Sequence, residues 1–284
     1  MSTNTATANQ ALDLLRRYVP RELYIPERLA DKTHFTFWLD DDPPLYGVPG
    51  AVHEGLHHLD SQWSDFDQRS YSVDQSTTLT VPRVPTFPRS AVAAHLPPDQ
   101  HDDYHREYLT GKCGAQGFDS LLEELNAYTH GCRAAAALHS LYDKNVQVSE
   151  RDGLASFMLY LLLYLKHAHD CETATWRLLT EDRDHAALVL RLWTEAELVL
   201  AEAVCHPFLG IRDRAKRRHL ATPDTGRWLD LFRQAAAAQA TAPPFTSPHA
   251  QGSGPEVGPL RPVSRSRRKA PRRDADPASG FPGP

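Results

Sequence analysis

The sequence predicts a mostly α-helical (α+β) fold, with a small β element in its N-terminal part and a helical bundle after it. From Phe118 to about residue 240, apolar side chains recur at spacings of three and four, the period of amphipathic helices. Alternation of apolar and polar residues, the pattern of a strand, is confined to short stretches before residue 82. The chain has 284 residues, 41% of them hydrophobic, which is enough for one full core.

The N-terminal third contains the predicted β element. After a short amphipathic helix at about residues 10–17, the segment Thr33–Leu39 alternates as a strand does, with Phe35, Phe37 and Leu39 on one side. A second alternating region predicts two short strands or a hairpin. Its apolar positions are Tyr71, Val73, Leu79 and Val81.

A helix is predicted next, over the segment Ala51–Asp60. Pro49 and Gly50 punctuate the chain just before it. Apolar residues at spacings of four, three and four form one stripe, which is expected to face the core. The stripe consists of Val52, Leu56, Leu59 and Trp63.

This helix contains the motif H-E-x-x-H. His53 and His57 are four residues apart, so their imidazoles lie on the same helix face and can bind one metal ion. Glu54 sits beside them, where a carboxylate can take a proton from a metal-bound water. Asp60 shares the histidine side of the helix and is predicted to orient a ligand imidazole.

A catalytic zinc site on this motif needs a third protein ligand, and the predicted helix from Phe118 offers two adjacent glutamates. At about 100° per residue, Glu123 falls almost opposite the apolar face. It also follows Ser120 by three residues, as in the S-x-x-E capping box. Glu124 lies at the edge of the apolar face, on the same side as Tyr128. We therefore predict Glu124 as the third ligand and keep Glu123 as the alternative.

The C-terminal half of the folded part is predicted to be helical throughout. Ser149 is expected to cap a helix that runs to about Asp170. One or two further helices are predicted between Ala174 and Val204. A last helix, Trp228 to Gln239, closes the predicted domain of residues 1–240.

Residues 241–284 are predicted to form a disordered tail. This segment is rich in Pro, Gly and Ser and has few large apolar residues, so it has too little apolar surface to order itself. It holds seven Lys/Arg and three Asp/Glu, whereas the rest of the chain is acidic. The basic run has no interleaved aromatic residues, which favours a solubilising role over binding to nucleic acid.

Composition favours a cytoplasmic protein with no membrane partner. The first ten residues are polar and lack the apolar core of a signal peptide. The longest apolar run, Leu154 to Leu165, is too short to span a bilayer and is typical of a buried helix. The four cysteines are too far apart for a C-x-x-C motif. Reduced thiols are therefore expected, and the oligomeric state is left open.

The two motifs together resemble the gluzincin zinc metallopeptidases. The likeness is to the branch that holds the Mlc titration factor peptidases and the catalytic domain of anthrax lethal factor. In that branch H-E-x-x-H is often followed by x-L-D, here His58 to Asp60, and a later helix has E-x-x-A, here Glu124 to Ala127. The interval of sixty-seven residues between His57 and Glu124 also fits that branch. The likeness covers these two short segments of the chain.

The resemblance implies that His53, His57 and Glu124 bind Zn²⁺ and that Glu54 is the general base. It implies a zincin-like helical domain with an edge strand ahead of the zinc helix. Such a strand binds an extended peptide by β-augmentation. The segment Thr33–Leu39 is expected to be that strand.

A transition-state tyrosine before the glutamate helix is a further property of that branch. Tyr104 and Tyr108 lie earlier in this chain than the branch places it, and Tyr128 lies after Glu124. No tyrosine therefore matches this role cleanly.

The leading prediction is a zinc-dependent metallohydrolase, specifically a peptidase, whose partner is a peptide or protein substrate. A zinc-bound water would attack the peptide carbonyl while Glu54 accepts its proton. One alternative is a non-catalytic metal-binding or helical interaction protein that keeps the ligands without turnover. Another is a helical scaffold in which the motif is coincidental.

Overall fold

The computed structural model describes residues 3–39 and 44–241, which are mostly helical and carry one small sheet. This confirms the predicted fold class. In chain order the α-helices of this part are α1 Thr3–Tyr18, α2 Tyr24–Arg28, α3 Thr33–Thr36, α4 Pro44–Trp63, α5 Phe118–Leu138, α6 Glu150–Cys171, α7 Thr173–Glu181, α8 Arg183–Ala203, α9 Arg214–Leu220 and α10 Pro223–Thr241.

Short 3-10 and π-helical segments fill most of the connections between these helices. The 3-10 segments are Pro20–Glu22, Phe37–Leu39, Arg89–His95, Pro98–Gln100, Lys112–Ala115, His139–Leu141 and Pro207–Leu209. A π-helical segment spans His105–Thr110.

The sheet is a two-stranded antiparallel hairpin. Strands β1, Gln68–Ser72, and β2, Thr78–Pro82, pair with Tyr71 opposite Leu79. Tyr71 is fully buried, as the alternating pattern predicts. The predicted hairpin is therefore confirmed, and it lies directly after α4.

The predicted strand at Thr33–Leu39 is wrong, because these residues form α3 and the 3-10 segment that follows it. Phe35 and Leu39 are buried, whereas Phe37, between them, is 66% exposed. Residues four apart share a helix face, so the buried pair fits a helix as well as a strand. A run this short does not distinguish the two periods. The expected edge strand ahead of α4 is therefore replaced by helical turns.

Helix α4 is longer than predicted at its N-terminus. It begins at Pro44 and includes Pro49, which was expected to precede it. Val52, Leu56 and Leu59 are buried as predicted. The last residue of the predicted stripe, Trp63, is 59% exposed because it ends the helix.

The core lies on two sides of α5, which packs against α4 and against α6. Every residue of α6 from Leu154 to Leu165 is buried, which fits the predicted buried helix. Ser149 is the residue before α6, so the predicted start is confirmed, although its side chain makes no capping hydrogen bond. A Cβ at Gly131 of α5 would lie 3.1 Å from the Pro49 carbonyl oxygen and 3.4 Å from the His53 Cβ. This glycine lets α5 approach α4 closely beside the motif.

The predicted tail, residues 241–284, lies outside the described residues apart from Thr241, which ends α10. In the part of the chain that the structure describes, none of the helices combines the length and the apolar character needed to cross a membrane.

Candidate metal centre

Helix α4 brings the two predicted histidine ligands onto one face. Nε2 of His53 lies 3.1 Å from Nε2 of His57. Their rings meet edge to face, with centroids 4.8 Å apart. The i, i+4 spacing of the motif therefore places both imidazoles on one helix face, as predicted.

Helix α5 adds Glu124 to this pair. Its Oε2 atom lies 3.7 Å from His53 Nε2 and 3.6 Å from His57 Nε2. Within the described residues, His53, His57 and Glu124 form a group whose ligand atoms all lie within 4.8 Å of one another. The structure thus brings together the three residues that were predicted as zinc ligands.

The donor set of this group suits zinc. Tetrahedral zinc with bonds of 2.0–2.1 Å to nitrogen and oxygen places neighbouring ligand atoms about 3.4 Å apart. The three separations, 3.1, 3.6 and 3.7 Å, bracket that value. Glu124 Oε2 is buried and has no hydrogen-bond partner, an arrangement that is unfavourable unless a ligand satisfies the oxygen. These residues therefore fit a zinc ion.

The two imidazoles differ in their pKa. Burial, followed by the proximity of His57, holds the pKa of His53 well below its usual value. Burial also acts to lower the pKa of His57, but the carboxylates of Glu124 and Glu123 outweigh it and raise that pKa well above its usual value.

Glu54 follows His53 on α4 and is partly buried. Its pKa is raised, chiefly by burial and further by the nearby carboxylates of Glu124 and Glu123, although His57 acts in the opposite direction. A carboxyl group with a raised pKa, placed next to the ligands but outside their group, has the character of a proton acceptor and donor.

Glu123 is part of this site, contrary to the prediction that it faces water in a capping box. Its Oε1 lies 3.1 Å from His57 Nδ1, and its Oε2 is ion-paired with Arg69 of β1. The box cannot form, because the residue before α5 is Gly117 and the Ser120 hydroxyl donates to the Gln116 side chain. More of the surface of α5 is buried than its apolar residues indicate, because β1 covers the side on which Glu123 lies.

Asp60 does not orient a ligand imidazole, so that prediction is wrong. It accepts hydrogen bonds from the Ser72 backbone N–H at 2.7 Å and from the Asn126 side chain at 3.4 Å. Asn126 also donates to the Ser72 carbonyl oxygen at 3.2 Å. Burial raises the pKa of Asp60 to about 6, although its bond with Ser72 acts to lower it. Its role is to join the hairpin to α4 and α5.

One tyrosine packs against His53, and a second tyrosine contacts the first. The ring of Tyr128 packs edge to face on His53, with centroids 4.3 Å apart. Its hydroxyl lies 3.1 Å from the hydroxyl of Tyr108, on the π-helical segment. The carboxylates of Glu124 and Glu54 contribute, after burial, to raising the pKa of Tyr108. Tyr108 is therefore close to the site although it lies earlier in the chain than the family pattern places a tyrosine.

Comparison with known proteins identifies no family for this chain: no family model, no curated protein and no solved structure matches it.

The sequence offered Glu123 only as an alternative ligand and predicted neither its contact with His57 nor the part that Arg69 plays in the site. A pair of adjacent glutamates was visible, but its two members were assigned to opposite environments. Arg69 carries no local signal, since its role depends on how the hairpin folds back over α5. The only visible clue was that an arginine stands in a strand whose neighbouring Tyr71 was expected to be buried.

Proposed function

We propose that this protein is a zinc-dependent metallohydrolase that cleaves peptide bonds. The observation that carries the proposal is the convergence of His53, His57 and Glu124 on one point, where Glu124 Oε2 is buried without a hydrogen-bond partner. Glu54 stands next to the first ligand. Few structural roles account for this combination of groups, whereas zinc hydrolysis requires it.

Each residue of the group has a distinct role in this proposal. His53, His57 and Glu124 would hold the zinc, which polarises a carbonyl oxygen and lowers the pKa of water when it is bound. Glu54 takes the proton of the attacking water on a carboxylate oxygen and passes it to the leaving amine. Tyr128 keeps the His53 ring in place through its edge-to-face contact.

The substrate class rests on the resemblance to the gluzincin peptidases. Peptide or protein is therefore the proposed substrate, and hydrolysis of an amide bond the proposed reaction. We propose that the reaction takes place in the cytoplasm, since all four cysteines are free thiols in the structure.

A metal-binding protein without turnover is the second candidate, and one observation favours it. The side chains of His53, Glu124 and His57 are only 11%, 15% and 19% exposed, so a substrate has a narrow approach to the site. Two surface cavities, of about 660 and 280 Å³, are lined by other residues. This candidate binds zinc equally well but hydrolyses nothing.

Zinc content and peptide hydrolysis in a set of variants test both candidates. The wild type is expected to carry about one zinc per chain. His53→Ala, His57→Ala and Glu124→Ala should each lose it, because a stable catalytic site uses three protein ligands. A wild type without stoichiometric zinc would overturn the proposal.

Glu54→Gln separates the enzyme from the plain metal-binder. The amide keeps the size of the carboxylate but cannot take a proton. Hydrolysis of a peptide library should therefore fall by about 10²–10⁴-fold while the zinc content stays at the wild-type level. If the wild type binds zinc but cleaves no peptide in the library, the second candidate is correct. Loss of zinc in Glu54→Gln would instead show that Glu54 is a ligand.

A further inference from the structure

The first hairpin strand reaches the candidate metal centre through a chain of three side chains. Arg69 of β1 is ion-paired with Glu123 Oε2, and Glu123 Oε1 lies 3.1 Å from His57 Nδ1. All three side chains are mostly buried, with exposed fractions of 13%, 15% and 19%. This burial lowers the local dielectric constant, which strengthens charge-assisted hydrogen bonds.

We propose that Arg69 and Glu123 are positioning residues that set the zinc affinity of the site by fixing the ring of His57. This inference rests on the proposed function, since it concerns the same ion. It goes further in assigning a role to a strand that carries no ligand.

The chemistry of the three groups determines the direction of each hydrogen bond. A carboxylate paired with a guanidinium is ionised and can only accept, so His57 Nδ1 must donate to Glu123. Once Nε2 has lost its proton, as metal binding requires, the lone pair of the ring lies on Nε2, the atom that faces His53 and Glu124. Glu123 therefore selects the tautomer and the orientation in which His57 can bind a metal.

Arg69 holds Glu123 in that orientation because the hairpin itself is fixed. The Ser72 N–H donates to Asp60 of α4, and the Tyr71 hydroxyl donates to the Asp119 carbonyl oxygen of α5. Strand β1 thus spans both site helices. Without the guanidinium, the Glu123 carboxylate would lose its only arginine partner among the described residues and would be free to rotate away from His57.

The two ligand histidines are consequently held in different ways. His57 is held by an ionised hydrogen bond through Glu123, whereas His53 is held by the packing of its ring against Tyr128. Changes in the hairpin should therefore act on the site through His57.

Zinc affinity, measured by competition with a chromophoric chelator, tests this inference. Glu123→Ala and Arg69→Met should each weaken zinc binding by about 10- to 100-fold, the range found when such outer partners are removed. Glu123→Gln should recover part of the loss, because the amide oxygen can still accept from Nδ1. Arg28→Met is the matched control, since the Arg28 guanidinium also binds the hairpin but donates to the Gln75 carbonyl oxygen, between the two strands.

Two further measurements separate positioning from a general loss of structure. The melting temperature of each metal-free variant should stay close to that of metal-free Arg28→Met. The visible spectrum of the cobalt(II)-loaded protein should change in Glu123→Ala and Arg69→Met but not in Arg28→Met, because only the first two alter the His57 ligand.

The outcomes distinguish this inference from the proposed function. A wild type that binds neither zinc nor cobalt overturns both. A wild type that binds zinc, with Glu123→Ala and Arg69→Met binding it equally tightly, overturns the positioning role alone. The same holds if the affinity falls only in step with the melting temperature of the metal-free variants.

Discussion

At the scale of single residues, the most consequential group outside the metal centre is Glu22, which is completely buried. Arg133 reaches both Glu22 and Glu195 at 2.9 Å, and His130 pairs with the other oxygen of Glu22. Burial acts to raise the pKa of Glu22, but His130 and Arg133 prevail and lower it to about 2. Glu22 therefore remains ionised inside the core.

Removing Arg133 should be strongly destabilising. Arg133→Met leaves Glu22 buried with fewer partners, and breaking a buried pair in this way costs about 3–5 kcal/mol. Chemical denaturation measures the change in the free energy of unfolding. Arg16→Met is the matched control, because Arg16 pairs with Asp13 at the same 2.9 Å but is 55% exposed. A pair of that kind contributes less than about 1 kcal/mol. Equal losses in the two variants would contradict the role of burial.

The residues of the candidate site were predictable where local geometry decides their position. The positions of His53 and His57 were predictable from the helical repeat alone, and the position of Glu124 was predictable from the apolar face of α5. Glu123 and Asp60 were misjudged, because their partners, Arg69 and Ser72, come from a strand that packs against both helices. A contact that depends on tertiary packing leaves no periodic signal in the sequence.

At the scale of elements, close contacts at glycines set how α4, α5 and α6 pack. Gly153 of α6 lies directly against the ring of Tyr128, which in turn packs on His53. A Cβ at this position would overlap that ring. The packing of α6 is thus connected to the metal centre by one side chain.

Gly153→Ala should therefore disturb both stability and zinc binding. Forcing a methyl group into a packed contact typically costs about 1–3 kcal/mol. The displaced Tyr128 should also weaken zinc binding through His53. Gly50→Ala, in α4, is the control, since nothing lies within 4 Å of its Cβ. It should leave zinc binding unchanged and stabilise the helix by up to about 1 kcal/mol. Thermal melting and chelator competition on both variants check this, and a harmless Gly153→Ala would refute it.

The elements themselves were predictable where they are long. The long helices α5, α6 and α8 followed from apolar periodicity that extends over several turns, and the hairpin, although short, followed from two alternating runs in succession. The segment Thr33–Leu39 was too short for its two buried residues to distinguish helix from strand. Helix α4 runs through Pro49 although proline removes a backbone hydrogen bond, because its packing against α5 outweighs that local loss.

At the scale of the whole molecule, stacked histidine pairs make stability sensitive to pH. In three pairs the rings stack with centroids 3.6–4.0 Å apart, and one member has a lowered pKa, caused first by burial and next by its partner. The pairs, each with the affected member second, are His34 and His58, His101 and His105, and His139 and His206.

The contribution of these histidines to stability should consequently fall as the pH drops below their ordinary value of 6.5, whereas the raised pKa values of Asp60 and Glu150, about 6 and about 7, act in the opposite direction over this range. Above pH 6.5 the affected histidines are neutral in both states and contribute no pH dependence. Below it the unfolded chain takes up protons that the folded protein resists, so the free energy of unfolding decreases. Denaturation between about pH 8 and 5.5 measures this slope.

Replacing the affected histidines shows how much of the change in the free energy of unfolding with pH is due to them. The triple variant His58→Gln, His105→Gln, His206→Gln should show a shallower decrease than the wild type. His169→Gln is the control, because the ring of His169 packs against Trp176 instead of another imidazole. An unchanged slope in the triple variant would exclude the pairs as the cause.

The two edges of the hairpin differ in a way that bears on self-association. On the outer side of β1, the Ser70 and Ser72 N–H groups are occupied by the Ser64 hydroxyl and the Asp60 carboxylate. The opposite edge, on β2, presents the backbone of Thr78 and Thr80 before Pro82 ends it. An exposed edge templates fibril growth when it is long and apolar, and this one is short, polar and closed by a residue without an N–H. The sheet of this protein is therefore a poor seed for aggregation.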